Sequence, residues 1–344
     1  MKEKIFKYGC IPQPEDPRDL RYVKTSASLN FDSIDLRPNC SDIKDQGNLG
    51  SCSAFGSTEL FNFVRNKNKL VSWNPSPLFT YYSTRKLTNQ EATDSGACVR
   101  DALKSTVKDG VAMERVWPYD ISKFAENPPQ DVWDNAEKHQ TLQYLSIDST
   151  DKNAILNCLN EGYPFIFGIK LYQSFNSISV LFGGRVPEPN RNTEKLLGGH
   201  CMMAVGYLKN LDGSESIIVQ NSWGKDWGDQ GFCYIPMNYF MSNDTFDFWT
   251  IRSTESCDTD TPDPTPEPIV PPAPTPIPEP EPIVPPTPTP APIVPPKPTP
   301  EPIPTPEPIV PPIPAPEETI SIWKKPVTYF IIFFVIASLL FLFL

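Results

Sequence analysis

Apolar residues recur along the first 257 positions in two patterns. Ala54, Phe55, Leu60, Phe61 and Val64 follow one another up to Lys67, a spacing that predicts a largely buried helix. Ser51 stands at its N-cap, directly behind the turn Gly47-Asn48-Leu49-Gly50. Arg100-Asp101-Ala102-Leu103-Lys104 opens a second helix. Beyond residue 160 the pattern changes to short, continuous apolar runs, the form of buried strands: 164–169, 200–207, 216–220 and 231–236.

Two later segments break with this pattern. Residues 262–316 hold most of the 42 prolines, with Pro-Ile-Val-Pro-Pro repeated at 268–272, 282–286, 292–296 and 308–312. Proline removes backbone donors and fixes φ, so a polyproline II rod of up to ~170 Å is expected there. A spacer is the first reading, and a set of docking sites for proline-recognition domains the second. Residues 327–344 carry no charge, and as a helix they would span about 27 Å, enough for a thin bilayer. Trp323, Lys324, Lys325 and Tyr329 flank them as interfacial anchors. The organisation expected is an extension over 1–30, a catalytic domain over 31–257, a linker over 258–322 and a tail anchor over 323–344. The N-terminus has basic residues but no apolar stretch like that of a secretory signal. A single-pass, tail-anchored protein is therefore expected, its catalytic part on the cytosolic side of a host or virion membrane.

Charge changes this picture little. The net charge is −11, but residues 262–318 contribute eight acids against Lys297. There is no basic patch to meet a nucleic acid. Of eight cysteines, Cys201 and Cys233 fall in apparent strands as small buried hydrophobes. No pair has zinc-ligand spacing, so neither metal nor cofactor is expected.

Chemistry concentrates at three runs. Cys52 enters its helix where unpaired N–H groups favour a thiolate. Only two histidines could serve it as base. His139, in Ala136-Glu137-Lys138-His139-Gln140, reads as a solvated surface residue; His200, in Gly198-Gly199-His200-Cys201, sits at the mouth of a buried strand. The third run, Gln220-Asn221-Ser222-Trp223-Gly224, carries an amide that can accept from one imidazole nitrogen, leaving the other for the thiol. A neighbouring tryptophan can shield that bond.

In this order the three runs resemble those of the papain/cathepsin-type cysteine proteases, across residues 31–252. The resemblance implies an α+β, papain-like fold of two lobes, helical over about 35–145 and a β-barrel over about 146–252. It implies Cys52 as nucleophile, His200 as base, Asn221 as its orienter, and Gln46 with the Cys52 amide as oxyanion hole. Gly96 would offer backbone to an extended polypeptide substrate, and Trp223 would line the leaving-group side. Asp247 reads as a surface acid, with a specificity-pocket floor as the alternative. The sequence departs from the family where Ser53 replaces a tryptophan and Leu49 a cysteine, so one family disulfide cannot form in its usual way. No second histidine is placed to hold a substrate carboxylate, which favours endopeptidase action. A catalytically inactive binding scaffold on the same tether is the alternative. Residues 8–22 read first as a strap along the surface and second as a short pro-segment near the cleft, with Cys10 a possible redox partner. The combination would suit a microbial or large-DNA-virus product.

Overall fold

The computed structural model describes residues 6–25, 33–210, 212–255 and 261–263, all within one unit over Met1–Val270. The proline-rich linker and the tail anchor expected from the sequence lie outside the described residues. Among the described residues no helix is long and apolar enough to cross a membrane.

A short strand, β1 (Ser33–Asp35), precedes the helical part: α1 (Cys52–Lys67), α2 (Pro77–Lys86), α3 (Val99–Lys108) and α4 (Gln130–Ala136). Then follow β2 (Thr141–Ser146), α5 (Lys152–Asn160), β3 (Phe165–Tyr172), α6 (Ile178–Gly183), β4 (Leu196–Lys209), β5 (Glu215–Gln220), β6 (Phe232–Pro236), α7 (Met237–Phe240) and β7 (Thr245–Thr254). All pairings between these strands are antiparallel, in the order β2-β7-β3-β4-β5-β6, with β1 added to β4. That order is an open path among the described residues rather than a ring closed by hydrogen bonds. The sequence pattern does not mark β1, β2 or β7. β2 is half exposed, so it lacks the continuous apolar run that marks the other strands.

α1 is buried from Cys52 to Arg65 because it lies between the two halves of the fold, touching α2 and α3 on one side and β3, β4 and β7 on the other. Its buried hydroxyls are satisfied within the helix: Ser57 Oγ donates to the Ser53 carbonyl at 2.9 Å and Thr58 Oγ1 to the Ala54 carbonyl at 2.8 Å. Three apolar clusters result. Leu49, Leu78, Phe79 and Trp117 fill the helical side, and Phe165, Phe167, Phe240 and Phe248 fill the sheet side. Cys52, Leu60, Val64, Ile166, Cys201 and Met203 form the seam beneath the cleft.

His139 corrects the surface reading. It is 1% exposed, with its ring 4.6 Å from that of Trp73. Its neighbours Glu137 and Lys138 are exposed, so the charged run describes the outer side of a turn whose histidine points inward.

Candidate active site

The register of the sheet brings His200 and Asn221 together. Met203 pairs with Gln220, so the residue just past β5 comes alongside the early part of β4. His200 Nε2 and Asn221 Oδ1 are 2.8 Å apart. With that amide oxygen accepting, Nε2 carries the proton and Nδ1 is the free base. Nδ1 is buried and has no hydrogen-bond partner among the described residues. Trp223, itself buried, stacks on the imidazole with centroids 4.8 Å apart and planes at 29°.

The loop before α1 is sewn to the loop after β5. Gln46 N–H donates to the Ser222 carbonyl at 2.8 Å, and Gly224 N–H to the Lys44 carbonyl at 3.0 Å. Ser222 Oγ donates to Gln46 Oε1 at 2.7 Å, which turns the amide nitrogen of this fully buried side chain the other way. That nitrogen donates to the Leu49 carbonyl at 2.9 Å and the Lys7 carbonyl at 3.2 Å. Ser51 is the N-cap residue, as the sequence predicts, yet its hydroxyl makes no cap bond; it lies 2.7 Å from Tyr119 Oη, which donates to the Gln46 carbonyl.

Cys52 is fully buried, its sulfur facing the amides of Cys201, Gly9 and Ser53. Cys201 directly follows His200, so the thiol lies beside the strand that carries the imidazole. The favoured thiolate expected at the helix end is corrected here. Burial pushes the thiol up to about 12, and burial pushes His200 down to about 4 against the raising effect of Asn221. Helix-end amides stabilise charge only modestly, and loss of water outweighs them.

What excludes water is the N-terminal segment. The first reading, a surface strap, holds for residues 12–22 but not for 6–11, which enter the cleft. Cys10 N–H donates to the Gly199 carbonyl at 3.0 Å on the sheet side. Ala97 N–H donates to the Gly9 carbonyl at 2.8 Å, and Ile11 N–H to the Ala97 carbonyl at 3.3 Å, a parallel bridge on the helical side. The backbone offered to an extended chain is thus that of Ala97, one residue beyond Gly96. Gly96 has φ +75°, and a Cβ there would meet the Gly9 carbonyl oxygen at 2.2 Å. Phe6 stacks on Trp223 at 4.1 Å, and the Tyr8 ring meets His200 edge-on. Cys10 is buried against the Cys201 thiol. The seven described cysteines, Cys10 included, are all free.

Asp94 is not marked as functional by the sequence, although it opens the run Asp94-Ser95-Gly96-Ala97-Cys98. Its Oδ1 accepts from Gly50 N–H at 3.0 Å and from Tyr81 Oη at 2.5 Å, tying together the loops that the missing disulfide would have linked. Its Oδ2 meets the Lys7 ammonium. Asp247 is a half-buried acid rather than a fully exposed one: its carboxylate accepts from Gln13 N–H at 3.1 Å, and burial pushes it up to about 6. Among the described residues no group of three or more His, Cys, Asp or Glu could hold a metal ion.

Comparison with known proteins agrees with this geometry. The model of the papain family of cysteine proteases matches residues 30–245. An uncharacterized peptidase C1-like protein of Acanthamoeba polyphaga mimivirus is 34% identical over 71% of this chain and 86% of its own length. A cathepsin L-like peptidase of Aedes aegypti is 29% identical over 57% of this chain and 55% of its own. The chain thus spans about half the length of that second relative. Among solved structures, xylellain, a cysteine protease from Xylella fastidiosa, superposes with a TM-score of 0.66 at 30% identity, covering 74% of this chain and 98% of that one. Sequence, register and likeness converge, and the chain belongs to the papain family of cysteine proteases.

Proposed function

We propose that this chain is a thiol endopeptidase, tethered to a membrane through residues 323–344 and held latent by residues 6–11. The observation that carries the reading is the 2.8 Å contact between His200 and Asn221 beneath Trp223, which leaves Nδ1 unpartnered beside the strand that meets the Cys52 sulfur. Once the N-terminal segment leaves, water reaches the pair and both pKa shifts relax towards a thiolate and an imidazolium. The sulfur then attacks the scissile carbonyl carbon. Gln46 Nε2 and the Cys52 amide hold the oxyanion, and His200 gives its proton to the leaving amine. A water activated by His200 releases the acyl group.

Endopeptidase action is favoured because His139 is buried against Trp73 and cannot meet a substrate carboxylate. An inactive scaffold is disfavoured because the nucleophile, base, orienter and oxyanion donor are all present. An epoxide thiol-protease inhibitor is expected to label the full chain carrying Gly9→Val, in which residues 6–11 cannot dock, but not the same chain with Cys52→Ala. Labelling that persists in the variant would refute the assignment of the nucleophile.

A further inference from the structure

We propose that Asp94 selects the residue that supplies the scissile carbonyl, and that it selects lysine. The proposal rests on the peptidase reading and adds the substrate class. In the occluded cleft the Lys7 carbonyl accepts from Gln46 Nε2, the side-chain donor of the oxyanion hole, at 3.2 Å. The same residue sends its ammonium to Asp94 Oδ2. One residue thus marks both the place of the reacting carbonyl and the pocket that its side chain enters.

The pocket is built for a cation. Asp94 is held by Gly50 N–H and Tyr81 Oη on Oδ1, and its side chain is 14% exposed, while the Lys7 side chain that meets it stays 40% exposed, so the carboxylate is fixed and mostly covered and the cation keeps part of its water. Gly50 lies two residues before the nucleophile, which fixes the carboxylate beside the reacting centre. Only Oδ2 faces the incoming group, with a second, longer contact to Gly50 N–H at 3.3 Å. A guanidinium pairs best with both oxygens of a carboxylate, whereas an ammonium needs one. Lysine is therefore favoured over arginine.

The segment supplies the chemistry of a substrate without being one. It runs parallel to Ala97, and the sulfur faces the Gly9 N–H, which belongs to the Tyr8–Gly9 peptide unit, whereas the carbonyl on Gln46 belongs to the Lys7–Tyr8 unit. Attack needs one peptide unit to meet both sulfur and oxyanion donors, so the segment occupies the lysine pocket out of register for cleavage.

The test uses the full chain carrying Gly9→Val, whose side chain would clash with the Gly50 carbonyl and so expels residues 6–11, together with Lys7→Met, which vacates Asp94. Peptide aldehydes ending in lysine, arginine or norleucine, otherwise identical, compete with iodoacetamide for Cys52. Fluorogenic peptides with the same three residues before the scissile bond give kcat/KM. Lysine should exceed norleucine by about tenfold or more, the size expected of one charge-assisted hydrogen bond. Asp94→Asn, added to the same chain, should erase that ratio, while Asp94→Glu should keep a lysine preference. A lysine-to-norleucine ratio unchanged by Asp94→Asn overturns the assignment. A Cys52 that reacts with neither reagent in any of these forms overturns the peptidase reading, and this proposal with it.

Discussion

At the scale of the residue, the catalytic groups are defined less by their own chemistry than by what aims them. Gln46 has two polar ends, and the Ser222 hydroxyl decides which one faces the cleft. Gln46→Ala should lower kcat by about 10²–10³-fold, the loss seen when one oxyanion donor is removed. Ser222→Ala should cost less, since it frees the amide to turn but leaves it in place; steady-state kinetics on peptides would order the two. A larger loss for Ser222→Ala than for Gln46→Ala would show that the hydroxyl acts other than through the amide. His139 teaches the opposite lesson about neighbours. Charged flanks on a turn describe its outer side, and the side chain between them packs under Trp73.

At the scale of the element, the decisive piece is the segment over residues 6–25. Beyond the cleft it is held at two points: Arg100 Nη2 donates to the Pro14 carbonyl at 2.7 Å, and Tyr22 N–H to the Ser146 carbonyl at 2.8 Å. In the cleft it depends on Gly9, where a Cβ would lie 2.1 Å from the Gly50 carbonyl oxygen. That contact is with backbone and cannot yield, so Gly9→Val should expel residues 6–11. Alkylation of Cys52 by iodoacetamide should then be at least about tenfold faster than in the parent chain, as burial no longer holds the thiol protonated; an unchanged rate would mean that the segment does not guard the thiol.

Docking of this segment also has a pH dependence. Asp247 has its pKa raised by burial, so docking binds a proton there and weakens as pH rises through about 6. The Cys52–His200 pair adds little, because burial raises the thiol and lowers the imidazole, so docking moves one proton from ring to sulfur without releasing it. Amide exchange at Cys10, Ile11 and Gln13, corrected for its intrinsic pH dependence, should quicken as pH rises towards about 6. In Asp247→Asn it should be nearly flat over that window, and a slope that persists in that variant would refute this assignment.

At the scale of the whole molecule, the catalytic fold is one part of a longer plan. The matched family region ends at residue 245, and about a hundred residues follow it. On our reading they hold the protease at a distance of up to ~170 Å from a bilayer. Deleting residues 323–344 should move the chain from the membrane fraction to the soluble fraction, with epoxide labelling of Cys52 in the Gly9→Val background unchanged. A truncated chain that still sediments with membranes would remove the tether. A tethered enzyme meets substrates at a high local concentration, and an occluding segment on the same chain limits what that concentration can do.

Much of this protein could be read from the chain because its chemistry is local. A thiol at a helix start, a histidine before a buried strand and an asparagine after another need only short runs, and so do the helix over 52–67 and four of the strands. The half-exposed β2, the inward turn of His139 and the role of Asp94 depend on partners 13 to more than 100 residues away, which no short pattern records. The occluded cleft was decided in the same way. Residues 6–11 carry no strong propensity of their own; they are ordered by Gly199 on one wall and Ala97 on the other, and only folding brings those walls to either side of one extended chain. On our reading the sulfur's chemistry follows from that placement, because burial beneath the extended segment raises the thiol's pKa.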